Sequence, residues 1–425
     1  MKILFLSSSP LNNSVSVGNT FLNVFSGIEN IEFYSIYSRS GFPDKKINKA
    51  FRIPEKSIVK KIIKWKLPVG ELVSDRYEGQ PTNDSKALKL AKSKRWSIFF
   101  FLKNLIWSLP FWKSKRLKSF IDDINPDVIF TVFSNSVSLN KLIEYVVNYT
   151  KKPLMLYAWD DNYSFSGTKS PFKNLLQLSG RKHMRKIVEM ADKFYVISNV
   201  QKQDYEKWFN KPCEILTKSA DFSLEPELKK EYGKPLQLVY TGNVLLNRWR
   251  SLELIVNALQ KINENGIKAQ LRIYTGNTLT EEMNSALNKG ESSIVMGYAP
   301  ASEIESIQKN ADILVHVEGL DEKNKKLVRQ SFSTKLVDYF KMARPILAVG
   351  PSDVASISHL IENDCAIYAD NEEQLVKKLL EVIESAEKLN ELSIKAYNCG
   401  NNNHDDSILI ALLKKDLEEI KSKNI

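Results

Sequence analysis

From Gln330 to Asp338 the chain reads Gln-Ser-Phe-Ser-Thr-Lys-Leu-Val-Asp and continues through Tyr339 and Phe340 into the apolar run 345–349. Ser333 is suited to cap a helix, and the free backbone N–H groups behind such a cap attract anions. Thr334 follows, and Lys335 then places a full positive charge in the first turn, where the helix dipole favours a carboxylate. An anionic ligand at that end resolves the conflict. Asp338 lies three residues on, on the same face, where its carboxylate can accept hydrogen bonds from the hydroxyls of a ribose. Phosphate binding by Ser333, Thr334 and Lys335 with ribose binding by Asp338 is the chemistry of a nucleotide diphosphate site. An ordinary capped surface helix fits the same octapeptide.

A second phosphate-type turn follows the apolar run 236–240, which delivers Thr241-Gly242-Asn243. Gly242 permits close backbone approach of a ligand. Arg248 and Arg250 stand just before a helical pattern formed by Leu252, Ile255, Val256, Leu259 and Ile262, placed to clamp a pyrophosphate with their guanidinium forks. Neither a G-x-G-x-x-G nor a G-K-[ST] element occurs, so there is no dinucleotide fingerprint and no P-loop. In the first half, the run 154–158 ends at Trp159-Asp160-Asp161. Carboxylates at the C-terminal end of a parallel strand face the ligand crevice, so Asp160 or Asp161 is placed to orient a hydroxyl or stabilise a cationic transition state. An Asx-type cap on the next loop fits them equally well. The loop 7–19, continuing through Gly18-Asn19-Thr20, is expected on the same side.

Positioning these groups falls to short apolar or β-branched runs alternating with helical patterns. Runs at 2–6, 32–37, 127–132, 154–158, 194–197 and 214–216 form one series. After a polar linker, 221–234, runs at 236–240, 271–274, 294–296, 313–317, 345–349 and 366–368 form another. Strands alternating with helices predict parallel, doubly wound sheets, so the expected fold is α/β with two Rossmann-like domains facing a central cleft. The expected boundaries are 1–220 for an N-terminal domain carrying a basic apolar insert at 41–118, and 235–400 for a C-terminal domain. A final amphipathic helix, 405–425, is expected to pack back toward the first.

With 425 residues, 43% hydrophobic and 26% charged, the chain is an ordinary globular protein of two to three domains. Three cysteines, Cys213, Cys365 and Cys399, are odd in number and lack metal-ligand spacing, which points to a reducing, cytoplasmic setting. His183, His316, His359 and His404 are scattered, and each reads as a packing or surface residue; no metal site is expected. Segment 41–118 holds 20 Lys and Arg against 6 Asp and Glu, a net +14 that exceeds the +11 of the whole chain. Ile58, Val59, Ile62 and Ile63 lie among Lys56, Lys60, Lys61 and Lys64, and 96–107 is apolar but broken by Lys103. This composition suits attachment to an anionic membrane surface, although a core helix with a basic rim also fits 96–112. No nucleic-acid motif accompanies the charge.

The residues from 236 to 348 resemble the donor domain of retaining GT-B glycosyltransferases of glycosyltransferase family 4. Tyr-Thr-Gly-Asn, Arg248, Val-Met-Gly-Tyr, Ala-Asp-Ile-Leu-Val, Ser-Thr-Lys and Asp-Tyr occur in the family's order. The resemblance implies a nucleotide diphosphate sugar as donor, with Arg248 and Lys335 on the diphosphate, Gly297 and Tyr298 beside the base, Asp338 on the ribose and Gln330 toward the sugar. It also implies a hexosyl transfer needing no metal or other cofactor, in which basic side chains and a helix N-terminus stabilise the leaving phosphate and Asp160 or Asp161 serves the acceptor side. The acceptor would be a polysaccharide precursor or lipid-linked saccharide in bacterial-type cell-surface polysaccharide synthesis at the inner membrane face. The family's E-x7-E element appears as Gln330 and Asp338, and its helix-ending glycine as Ala343. A GT-B-like sugar-nucleotide epimerase and a non-catalytic membrane- or partner-binding relative are the alternatives.

Overall fold

The computed structural model describes residues 1–12, 25, 27–64, 66–73, 97–164 and 171–422. The acceptor-side residues Gly18, Asn19 and Thr20, and Trp96, lie outside them. The chain divides into two compact units: Met1–Val196 with Asp204–Leu216 and Ile410–Ile425, and Ile197–Gln203 with Thr217–Leu409.

The first unit holds β1 (Lys2–Leu6), β2 (Glu32–Tyr37), β3 (Ile47–Arg52), β4 (Glu71–Val73), β5 (Val128–Val132), β6 (Leu154–Ala158), β7 (Lys193–Val196) and β8 (Glu214–Ile215). They form one sheet in the order β4-β3-β2-β1-β5-β6-β7-β8. The central strands β5 and β6 are apolar except for Thr131, whose hydroxyl donates to the Leu6 carbonyl, and are buried on both faces, as helix-covered parallel strands must be. Phe130 anchors one side of the core, with Phe25 and Phe5 at 5.3 and 5.6 Å and Tyr195 stacked at 6.3 Å. Ser114 and Ser136 cap the helices Lys115–Ile124 and Val137–Thr150, each accepting from the backbone N–H three residues on.

Two strands were not expected. β3 and β4 both fall inside the basic insert; Ile47, Ala50 and Phe51 of β3 are buried without regular alternation, and none of the three residues of β4 is buried, so neither strand gives a period-two signal. The β3–β4 pair is antiparallel, unlike the rest of its sheet. Within 96–112, Trp107 and Trp112 are buried, with Trp112 Nε1 donating to the Trp107 carbonyl, so this end of the segment belongs to the core. Leu102 and Leu105 of the helix Ser97–Ile106 stay half exposed.

The second unit holds β9 (Leu236–Thr241), β10 (Ala269–Tyr274), β11 (Ser293–Gly297), β12 (Ile313–Val317), β13 (Ile346–Val349) and β14 (Ile367–Ala369). Their order is β11-β10-β9-β12-β13-β14, parallel at every pairing. The direction of winding therefore reverses between β9 and β12. These two strands pair only at Ile313 with Leu238 and Leu314 with Val239, whereas β9 stays paired to β10 as far as Thr241. Beyond Val239 they diverge, opening a crevice at their C-terminal ends.

The expected linker 221–234 is built into this unit. Lys229 pairs with Asp312, which also accepts from the backbone of Gly233 and Gln237, and Tyr232 donates to Asn390 at 2.8 Å. Buried Arg344 donates to the carbonyls of Glu227, Lys309 and Met342.

The last helix, Asp406–Ser422, contributes its residues from Ile410 onward to the first unit. Asp416, 1% exposed, accepts from Tyr195 Oη at 2.5 Å and pairs with Lys193. Burial and the neighbouring carboxylate push the Tyr195 phenol far above its ordinary pKa, so it stays a donor. Removing one member of a buried charged cluster strands the others. Asp416→Ala is expected to cost about 3 kcal/mol in urea unfolding, against less than about 1 kcal/mol for Glu419→Ala, whose carboxylate pairs with Lys193 from a side chain 42% exposed.

Candidate donor site

The crevice between β9 and β12 is where a doubly wound sheet binds its ligand. β9 ends in Tyr240-Thr241-Gly242-Asn243, and the chain then turns through Leu246 and Asn247, both with φ +57° in the left-handed region. A side chain on Gly319 would meet the Leu246 carbonyl at 2.3 Å, so glycine is required there for the turn to close. The Asn277 carboxamide, at the end of β10, accepts from Val244 N at 2.9 Å and holds the loop from below. Asn277 closes a second Tyr-Thr-Gly-Asn sequence at 274–277, a visible repetition that sequence reasoning passed over.

This turn opens the helix Arg248–Ile262 and aims its first residue into the crevice. Arg248 donates through Nε to Glu318 Oε2 at 3.0 Å and through Nη1 to Asn243 Oδ1 at 2.9 Å, with Nη2 in ion-pair contact with Oε2 at 2.9 Å. Glu318 follows β12 directly and its side chain is 4% exposed. Burial raises its carboxyl pKa, with Arg248 opposing the rise.

From the other side comes Lys335, the first residue of the helix Lys335–Met342. Its ammonium donates to the Thr241 carbonyl at 2.8 Å and lies 5.0 Å over the Tyr240 ring. The divergence of β9 from β12 frees that carbonyl from the ladder. A side chain on Gly242 would lie 2.5 Å from Lys335 Nζ, so this glycine makes room for the ammonium. Burial, and then Arg248, lower the Lys335 pKa to about 8, with Glu318 and Asp338 opposing. Tyr339 Oη reaches the Val315 carbonyl and Thr241 Oγ1, both at 3.3 Å, and Gln308 Nε2 donates to Thr241 Oγ1 at 2.9 Å. The result is a cradle in which two partly buried cations flank one buried carboxylate, Arg248 paired with it and Lys335 nearby.

Several expectations are corrected. The N-cap position is Thr334, already helical and without a side-chain cap bond, while Ser333 donates its N–H to Ser356 Oγ at 2.8 Å. Arg250 lies inside the helix and outside the cradle, bound to Glu253 and Glu282 and stacked over Trp249 at 3.8 Å. Asp338 is paired with Lys218. Gln330 is buried, its carbonyl accepting from Ser198 Oγ at 2.8 Å. Gly297 has φ +80°, and Tyr298 beside it is 76% exposed, its ring edge against Gly276. Ala343 adopts the left-handed cap that the family gives to glycine, with φ +48°.

In the first unit, Asp161 Oδ1 accepts from the backbone of Tyr163 and Ser164 at 3.1 and 2.8 Å, which is the Asx-cap arrangement. Asp160 is exposed beyond β6. Sequence reasoning missed Glu318 and His316. A carboxylate directly after the apolar strand 313–317 was the available signal for Glu318; His316 gave none beyond being polar within that strand.

An incoming diphosphate would return Lys335 toward its ordinary pKa. Because the free group loses its proton as pH rises through about 8, affinity should be full below that pH and fall above it. Titration calorimetry is expected to show nucleotide diphosphate binding roughly tenfold weaker at about pH 9.5 than at about pH 7.5. Lys335→Ala should lose about 1.5–3 kcal/mol and flatten this dependence, while Arg248→Ala loses a similar amount and moves the fall to higher pH, since Arg248 helps hold the Lys335 pKa down. Unchanged affinity in both variants would remove the ligand from this cradle.

Comparison with known proteins bears on the same region. Residues 235–385 match the model of a family described as Glycosyl transferases group 1. No curated protein matches the chain significantly. Among solved structures, Anabaena HepE in complex with UDP is similar over 99% of this chain and 100% of its own, with a TM-score of 0.61 at 10% identity. Sucrose-phosphate synthase from Thermosynechococcus elongatus gives 0.59 at 10% identity, over 99% of each chain. WaaG, a glycosyltransferase involved in lipopolysaccharide biosynthesis, gives 0.53 at 12% identity, also over 99% of each. The matched domain, carried on a GT-B fold, makes the chain a glycosyltransferase.

Proposed function

We propose that the protein transfers a sugar from a nucleotide diphosphate sugar, with retention and after the manner of glycosyltransferase family 4, to a polysaccharide precursor or lipid-linked saccharide in cell-surface polysaccharide synthesis. The observation that carries this reading is the surplus positive charge of the cradle: Arg248 and Lys335, partly buried, against buried Glu318 alone at the switch point of the second sheet. A partly buried site with one cation in excess is matched to an anion, and the charge that grows as a sugar–phosphate bond breaks sits on the diphosphate. Protein cations and the N-terminus of the helix Lys335–Met342 then do the neutralising, so the reaction proceeds without a bound metal. HepE, similar in fold, has been crystallised with UDP and with UDP-glucose, which supports a donor of this class. Tyr298 would serve the base and Gln330 the sugar. The first unit would take the acceptor, with exposed Asp160 its catalytic carboxylate.

Incubation with labelled UDP-, GDP- and ADP-sugars and lipid extracts as acceptor source tests the assignment. Label should move to an acceptor with its anomeric configuration kept, and Lys335→Ala should lower that turnover. Conversion of the free sugar nucleotide into an epimer would make the protein an epimerase, and recovery of unchanged donor under all conditions a non-catalytic binder.

We further propose attachment to an anionic membrane surface through the basic insert. Val59, Ile62 and Ile63 on the helix Glu55–Ile63, with Leu102 and Leu105 on the helix Ser97–Ile106, are exposed aliphatic side chains. Lys103 and Glu55 join the two helices at 2.7 Å, and Lys56, Lys60 and Lys64 are exposed on the first. Among the described residues no helix is long and apolar enough to cross a membrane. Each basic side chain near an anionic leaflet contributes on the order of 1 kcal/mol. Co-sedimentation with anionic vesicles should exceed that with neutral ones, weaken as salt rises, and be lost when Lys56, Lys60, Lys61 and Lys64 are changed to Gln. Equal recovery on both vesicle types would assign the charge to another role.

A further inference from the structure

His316 lies in the middle of β12, 2% exposed, and neither ring nitrogen has a hydrogen-bond partner. A buried polar group left unpaired is destabilising, and a leucine would fill a central strand without that cost. The imidazole is faced by Glu318 from the end of its own strand, by Arg248 from the helix behind β9 and by Lys335 from the helix before β13. Burial and these two cations hold its pKa well below the ordinary histidine value, so the ring is neutral and carries one N–H. Nε2 stands 3.7 Å from Glu318 Oε1, the oxygen that Arg248 does not use.

We propose that His316 is the second partner of Glu318, the neutral donor that takes up this carboxylate when a diphosphate draws Arg248 away from it. The inference rests on the donor-site reading given above. Arg248 directs its single Nε–H at Glu318, with Nη2 in ion-pair contact with the same oxygen, so a phosphate that engages the guanidinium side-on through Nε and Nη2 takes the place of Glu318. Release of Arg248 without compensation would strand an anion in the protein interior. A carboxylate rotation that shortens the Nε2–Oε1 separation by about 1 Å supplies the missing bond within hydrogen-bond range. No proton changes hands: Arg248 passes from carboxylate to phosphate, and Glu318 passes from guanidinium to imidazole N–H. His316 thus acts through Glu318 and Arg248 as a positioning residue, and its unpaired state in the free protein is the state from which that exchange starts.

The test is calorimetric titration of the full chain with UDP, GDP and ADP, together with thermal unfolding. For whichever nucleotide the wild type binds, His316→Leu is expected to weaken affinity about tenfold to a hundredfold while Tm stays level or rises, since an unpaired buried polar group has been removed. A histidine that merely packs would give the opposite pair of results, a lower Tm with affinity retained. His316→Gln, whose amide nitrogen reaches where Nε2 lies, should recover most of the affinity. His316→Asn, which mimics the other nitrogen, should not, and this contrast decides the matter if the leucine variant fails to fold. In a Glu318→Gln background, His316→Leu should change affinity by less than about twofold, because no carboxylate then needs the partner. Nucleotide binding indifferent to His316→Leu, or Gln no better than Asn, overturns the inference alone. Failure of the wild type to bind any of the three nucleotides overturns the donor-site reading and the inference with it.

Discussion

The separation of β9 from β12 beyond Val239 is the constraint on which the second unit of this protein is organised. Two central parallel strands that stop pairing leave backbone groups and strand-end side chains without ladder partners inside the sheet, and these need satisfaction from elsewhere. Lys335 answers the Thr241 carbonyl, Tyr339 the Val315 carbonyl, and Arg248 the carboxylate that follows β12. Each answer comes from a helix N-terminus or helix face carried to the crevice by a connection between parallel strands. Satisfaction of the backbone thereby concentrates positive charge where a ligand of this fold is received.

Placing those groups requires conformations that a sequence of maximum stability would avoid. Leu246 and Asn247 are both left-handed, and Ala343 is a left-handed, buried non-glycine cap, each costing on the order of 1 kcal/mol or more. Gly242 and Gly319 are needed because a side chain at either would collide with the parts they admit, the Lys335 ammonium and the Leu246 carbonyl. The surrounding core holds these features rigidly: Leu252, Ile255, Val256 and Leu259 pack the helix that carries Arg248 against β9, β10 and β12 with no exposure. A cation kept at a lowered pKa is tolerable only on such a scaffold, since any looseness would let it swing to water.

The amino-terminal unit follows a different economy. Its aromatic core and serine-capped helices are conventional, and its peculiarity is the segment between β2 and β5, where lysines surround two strands and a pair of helices with exposed aliphatic faces. Dense positive charge beside unburied isoleucine and leucine is unfavourable for a surface that meets only water, and it is well matched to an anionic, partly apolar boundary.

By itself the sequence determined the alternation of strand and helix, the two largely parallel sheets and the place of Arg248 and Lys335 near helix starts, because apolar runs buried on both faces and a lysine in a first helical turn are local signals. It missed β3, whose burial does not alternate along Ile47–Arg52, and β4, three residues long with none buried, and it misjudged the start of the helix at Lys335, because Ser333 and Thr334 are both good caps by type. Only the tertiary structure decided which charged groups meet. Arg250, two residues from Arg248, is turned to Glu253 and Glu282, Asp338 is taken by Lys218, and Asp161 caps its own loop, whereas Glu318 and His316 are brought to the centre. The physical reason is that periodicity specifies the face a residue occupies within its own element, but charge pairing in a crevice depends on where separate elements end, and that follows from strand register and divergence, which no local pattern encodes.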